Sequence, residues 1–196
     1  MGYETLQTAI PLFDGTRPFQ QIPFQFSVYV QESHSAELVH DEYLHKERTD
    51  PRRAFAERLI ELCGNEGTIL VYNQAFEIAR NNELARDFPD LAADIQSINA
   101  RVLDLLVPFK KRWLYHPNQN SSASIKAVLP TFTDLDCKDM EISHGGEAMI
   151  QYGNFMQGQM REDDLPDLWH NFTEYCKQDT YAMAMLLDVL REYSDG

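Results

Sequence analysis

The spacing of apolar positions changes several times along the chain, and each change marks an element. Residues 24–30 (FQFSVYV) set aromatic and β-branched side chains among polar ones, which reads as a strand. Residues 3–6 read as a short first strand, separated from it by a turn-rich loop over 11–23 that contains Asp14-Gly15. Residues 37–43 form a weaker third strand. Asp50-Pro51 then opens a helix, with Asp as N-cap and Pro in the first turn, and Phe55, Leu59 and Leu62 form its apolar face. Residues 67–72 (GTILVY) are a short apolar run between turn signals, the mark of a buried strand. Helices are predicted over 75–88 and from about 89 to 99, and a further strand over 101–106 (RVLDLL). A short helix begins at 124 and is closed by Pro130, and another spans 145–155. The clearest pattern is the last: Leu168, Phe172, Tyr175, Met183, Leu186 and Leu190 make one helical stripe within 165–193. Three strands followed by helix, strand, helix and strand predict an α/β fold, a mixed sheet with helices on both faces.

Composition narrows this. The chain has 196 residues and is 43% hydrophobic, enough for one domain of ordinary size with its own core. No apolar run approaches the length of a membrane span, and the first residues lack the pattern of a signal peptide, so a cytoplasmic protein is expected. Cys63, Cys137 and Cys176 are scattered without a CxxC pair, which disfavours a zinc ribbon or a disulfide framework. The formal charge of −14 argues against simple nucleic-acid binding, which leaves a basic footprint. Carboxylates neutralised by cations offset that argument. So does the local clustering of Lys110, Lys111 and Arg112 beside Trp113.

Three short segments carry candidate chemistry. Tyr175 and Asp179 stand four apart on the final helix, so they share a face, and that face is the apolar stripe. A carboxylate there needs a partner, a hydrogen bond or a cation; the plain alternative is an Asp at the stripe's edge paired with a nearby base. Glu77 follows Asn73 and Phe76 directly after the GTILVY strand, at the strand end where ligands collect in α/β sheets. Its plain alternative is an acid favoured by the helix dipole. Glu4 lies on the first strand and means little alone.

Together, in order and in context, these segments resemble the three motifs of the DEDD 3′–5′ exonucleases, a superfamily with the RNase H-like fold. That family places D-x-E on its first strand, Asn-aromatic-acid after a central strand, and Tyr or His followed by x-x-x-Asp on a late helix. Tyr175-x-x-x-Asp179 is similar to the tyrosine subclass. The chain also looks like an uncharacterised bacterial domain family assigned to that superfamily, often found as part of longer proteins, so a single domain over 1–196 belonging to a longer parent is expected. Two positions depart from the pattern. Glu77 stands where Asp is usual, and Gly2 stands where the first aspartate of D-x-E belongs. Either the residues ahead of Tyr3 replace a native start that carried the acid, the preferred reading, or the acid has been lost naturally.

The resemblance implies phosphodiester hydrolysis with two Mg or Mn ions roughly 3.5–4 Å apart. Glu4, Glu77 and Asp179 would be metal ligands and Tyr175 would orient the attacking water. Asn73 and Phe76 would meet substrate, a single-stranded DNA or RNA end. The Lys110, Lys111 and Trp113 cluster and Lys126 are candidates for phosphate and stacking contacts. Asp104 is expected to be structural, and His116 and His144 are expected not to be ligands. The rival function is a non-catalytic RNase H-like module that binds nucleic acid or a partner, such as another domain of a longer chain. A Ser or Cys hydrolase and a phosphate-loop protein both lack their motifs, since no G-x-S-x-G, G-x-G-x-x-G or G-x-x-x-x-G-K is present.

Overall fold

The computed structural model describes residues 1–135 and 145–194. Cys137 and His144 lie outside them. The fold is mixed α/β. Strand β1 (Gly2–Leu6) pairs antiparallel with β2 (Ile22–Val30), which pairs antiparallel with β3 (Val39–Leu44). Helix α1 (Arg52–Cys63) leads to β4 (Ile69–Val71), and helices α2 (Gln74–Asp87) and α3 (Ala92–Asn99) lead to β5 (Val102–Asp104), which pairs parallel with β4. Four more helices follow among the described residues: α4 (Leu106–Lys110), α5 (Ile125–Phe132), α6 (Gly145–Met156) and α7 (Leu165–Ser194).

The strands form two ladders, β1-β2-β3 and β4-β5, in place of the one continuous sheet expected. They meet at the start of β1, where the Met1 amine donates to the Leu70 carbonyl at 2.8 Å. Alternation along β1 and β2 sends side chains to opposite faces. Tyr3 and Phe26 face a core shared with Phe55 and Leu59 of α1, Leu84 of α2, Ile95 of α3, and Val71 and Val102 of the parallel pair. Gln25 and Ser27 face α7, where the Gln25 amide donates to the Phe172 carbonyl (2.9 Å) and Ser27 Oγ lies 2.7 Å from Thr180 Oγ1. Helices therefore cover both faces.

A second core joins Leu6, Ile22 and Phe24 to α6 and α7, with Phe24 stacked on Tyr152 at 3.7 Å between ring centroids. A third joins Phe109 of α4 and Val128 and Leu129 of α5 to Ala182 and Leu186 of α7. Helix α7 takes part in both. Its apolar stripe at 3.6-residue spacing is thus divided between two cores.

Two details differ from the sequence reading. Leu106, expected in a strand, starts α4. Pro130, expected to close a helix, sits inside α5. There the Thr131 and Thr133 hydroxyls donate to the Ala127 and Leu129 carbonyls, at 2.7 and 2.8 Å, and hold the last turn.

Candidate functional site

The β1–β2 ladder carries an irregularity between Glu4 and Thr5. Glu4 pairs with Gln25 but Thr5 pairs with Pro23, so Phe24 is the extra residue. Pro23 lacks the N–H that a regular ladder would use, and a bulge re-aims its neighbours. Glu4 leaves this bulge on the face that meets α7. Glu77 is held differently. Asn73 adopts the left-handed conformation (φ 78°) between β4 and α2, and its N–H donates to Asp104 Oδ1 at 2.8 Å. The same Asp104 oxygen accepts from Leu106 N–H at 2.9 Å. Asp104 thus ties together the ends of β4 and β5 and the start of α4, the structural part expected of it. The tight turn places Glu77 in the first turn of α2, where it is 4% exposed.

Glu4, Glu77 and Asp179 line one cavity of about 150 Å³, together with Gly2, Tyr3, Tyr72, Ile125, Cys176 and Met183. Three elements remote in sequence deliver one acid each. Electrostatics reflect the crowding. Burial, then the charges of Asp179 and Glu77, push the Glu4 carboxyl up to about 8. Burial pushes Glu77 up to about 7, against the backbone N–H groups at the start of its helix. Asp179 is also raised by burial, while the Lys126 ammonium and hydrogen bonding from Tyr175 favour its charged form. Glu77 Oε2 is buried and has no hydrogen-bond partner among the described residues.

A side chain at position 2 fits this wall. A Cβ built on Gly2 would meet Thr180 Cγ2 at 3.4 Å and Met183 Cε at 3.5 Å, ordinary contact distances. Among the described residues, however, no group of three or more His, Cys, Asp or Glu is spaced to hold a metal ion. The donors present suit a hard cation in kind and in charge, and one buried oxygen lacks a partner. They surround a shared space without converging on one point.

Tyr175 is buried within the second core, beside Asp179, and does not line the cavity. Its hydroxyl is kept protonated by burial and by the neighbouring carboxylates Asp179 and Glu4. Asn73 is exposed, and Phe76 is half-buried under the Arg80 guanidinium, 5.5 Å from its ring. Lys110, Lys111 and Trp113 are exposed at the end of α4, with Lys111 Nζ 4.9 Å from the Trp113 ring and Arg112 5.4 Å from the Tyr115 ring. Lys126 is exposed on α5, close enough to act on Asp179. Since α4 and α5 share the third core, both basic groups ride on one lobe. His116 Nδ1 accepts from Asn118 N–H at 3.2 Å and caps a turn.

Sequence reading missed four lining residues. Cys176 and Met183 lie three before and four after Asp179, so helical spacing could have found them. Tyr72 directly precedes the Asn73 turn, and its hydroxyl donates to the Ala123 carbonyl at 2.7 Å, drawing the start of α5 toward β4. Ile125 has no signal in the sequence.

Comparison with known families matches residues 1–124, which include Glu4 and Glu77, to a domain of unknown function, DUF2779. The chain belongs to the DUF2779 family. No curated protein and no solved structure matches it. Asp179 and α7 fall outside the matched segment. As to membranes, no described helix is long and apolar enough to cross one.

Proposed function

We propose that this DUF2779 domain is of the DEDD exonuclease type, an RNase H-like domain that cleaves phosphodiesters at a nucleic-acid 3′ end with divalent cations, and that its cation site lacks one carboxylate at position 2. The observation that supports this is the meeting of Glu4, Glu77 and Asp179 around one cavity, with a buried Glu77 oxygen left without a partner. Acids raised to about 7 and about 8 are neutralised by protons or by a cation.

Glu77 and Asp179 would hold the cations together with Glu4 and an acid at position 2. The cations supply charge neutralisation and activation of water. In the reaction phosphorus gains the water oxygen and loses a sugar oxygen, which takes up a proton. Tyr175, buried and protonated, positions the Asp179 carboxylate by donating to it. Lys126 and the Lys110–Trp113 cluster would take the backbone phosphates and a terminal base of single-stranded DNA or RNA.

The competing reading, a non-catalytic binding module, draws on the absence of a converged metal group among the described residues and on the −14 charge. Two measurements separate them: Mn²⁺ titration by calorimetry, and digestion of a 3′-labelled single strand. Both compare the chain as it stands with Gly2→Asp and with Gly2→Asp/Asp179→Asn. The nuclease reading expects Gly2→Asp to gain both Mn²⁺ binding and hydrolysis and the double variant to lose hydrolysis. A folded Gly2→Asp protein that binds no Mn²⁺ favours the binding module.

A further inference from the structure

Asn81 and Asn82 stand in the middle of α2, and asparagine is a poor helix former there. Asn82 is exposed, but Asn81 is fully buried. The other buried positions of α2 are Glu77, Leu84 and Ala85. Asn81 lies one turn after Glu77, so the two are neighbours on one face of the helix. Both ends of the Asn81 amide are used. Nδ2 donates to Asn99 Oδ1 at 2.8 Å, and Oδ1 accepts from the Tyr3 hydroxyl at 3.1 Å.

The direction of this chain of bonds is set from its outer end. Asn99 Nδ2 donates to Asn82 Oδ1 and Gln96 Oε1, at 3.2 and 3.4 Å, and Gln96 Nε2 donates to Asn82 Oδ1 at 3.0 Å. Asn99 therefore turns its oxygen to Asn81, Asn81 turns its oxygen to Tyr3, and Tyr3 is the donor. A tyrosine hydroxyl has one proton, so it has none left for another acceptor.

An acceptor stands nearby. Tyr3 and Glu77 line the same cavity, and the buried Glu77 Oε2 has no partner among the described residues. Burial, then the Cys63 and Glu77 side chains, hold the Tyr3 hydroxyl well above its usual pKa, which puts Glu77 within electrostatic reach of it. A hydroxyl and a buried carboxylate oxygen on one wall ordinarily pair, because an unmet buried oxygen is costly. Here the next side chain along the helix takes the proton.

We propose that Asn81 is a positioning residue of the acidic cavity: it commits the Tyr3 proton to itself and so leaves Glu77 Oε2 open to a cation or donor entering the cavity. Asn81 acts through Tyr3 and touches no ligand. The Tyr3 ring is wedged edge-on against Phe55, 5.1 Å between centroids, so without Asn81 it is the Glu77 side chain that swings to meet the hydroxyl. That swing caps the oxygen from within the protein.

The test uses the whole chain carrying Gly2→Asp, and only its binding arm rests on the cation reading of the cavity. A crystal structure of Asn81→Leu is expected to show Tyr3 Oη within about 3 Å of Glu77 Oε2. Calorimetry is expected to show Mn²⁺ affinity lowered about tenfold or more in the same variant. Asn81→Leu/Tyr3→Phe, which removes the competing proton, is expected to restore the affinity; lost packing alone would leave the double variant weaker still. Asn81→Ala takes the place of Asn81→Leu where the larger side chain does not fold. A Tyr3 hydroxyl that stays away from Glu77 once Asn81 is replaced, or a double variant that binds Mn²⁺ no better than the single one, overturns the proposal. If Gly2→Asp itself binds no Mn²⁺, the cation reading fails, and the crystal structure alone decides whether Asn81 keeps Tyr3 from Glu77.

Discussion

Asp179 of α7 lies close enough to Glu4 of β1 that its charge, added to burial, lifts the Glu4 carboxyl to about 8. Burial first, with this repulsion added at Glu4, makes stability depend on pH. In the unfolded chain both Glu4 and Glu77 titrate near 4.5, and in the fold near 8 and 7. Between those values the folded state binds more protons than the unfolded one. The contribution of these groups is therefore full below about pH 4.5 and is lost as pH rises through 7 to 8. Urea unfolding from pH 5 to 9 should show this decline. Glu77→Gln should flatten it and raise stability at pH 8 by about 1–3 kcal/mol. Millimolar Mn²⁺ should raise the melting temperature of Gly2→Asp more at pH 8 than at pH 5.5, since protons and cations compete for the same oxygens. An equal shift at both pH values would separate cation binding from these acids.

Asp104→Ala removes the acceptor shared by the Asn73 and Leu106 N–H groups. The expected cost is about 1–3 kcal/mol in unfolding free energy. A second effect is specific to the site. With the Asn73 turn released, Glu77 moves, and its midpoint, followed by carboxyl carbon chemical shifts, should drop toward 4.5. A destabilised Asp104→Ala protein with an unmoved Glu77 midpoint would show that the turn does not position the acid.

Lys110→Glu/Lys111→Glu should weaken binding of a single-stranded oligonucleotide. It should also reduce the slope of log K against log salt by about 0.7 for each phosphate no longer neutralised. Trp113→Ala should weaken binding by about 1–3 kcal/mol if a base stacks there, with little change in slope. An unaltered affinity and slope in the lysine variant would remove the α4 lobe from the substrate path.

Phe24 and Tyr152 are both fully buried and stack face to face. Phe24→Ala should cost about 3–5 kcal/mol from lost burial and the cavity left behind. Tyr152→Phe should cost about 1 kcal/mol, the worth of the hydroxyl's hydrogen bond to the His45 carbonyl. Chemical denaturation checks both. A loss below 1 kcal/mol in Phe24→Ala would mean that α6 is not packed on the sheet.

The elements with one clean period were legible in sequence. The FQFSVYV strand and the stripe on α7 both stand where the pattern put them. The RVLDLL run was not divided correctly, because a continuous apolar run looks the same as strand or as buried helix. What divides it is Asp104, whose carboxylate caps Leu106 and anchors Asn73, a tertiary bond invisible in the spacing. The interruption at Pro130 was misjudged for a similar reason, since threonine hydroxyls at 131 and 133 hold the carbonyls there. The three acids that line the cavity were singled out in the sequence, but their protonation was not. It follows from the bulge at Pro23 and from the depth of the cavity, neither of which composition encodes.

Cys176 Sγ meets the Gly2 carbonyl across 174 positions of sequence, at the same junction of β1 and α7 that closes the acidic cavity. Contacts of such long range are slow to form, because the chain must surrender the freedom of the whole intervening loop before they reward it. The cavity is expected to close only as α7 docks, together with the two cores to which α7 contributes its own side chains. Until α7 docks, Glu4 and Asp179 are well-hydrated, independently titrating side chains with nothing to share. A molecule caught part-way through folding, however much of its sheet is already built, has not yet gathered its three acids around one space.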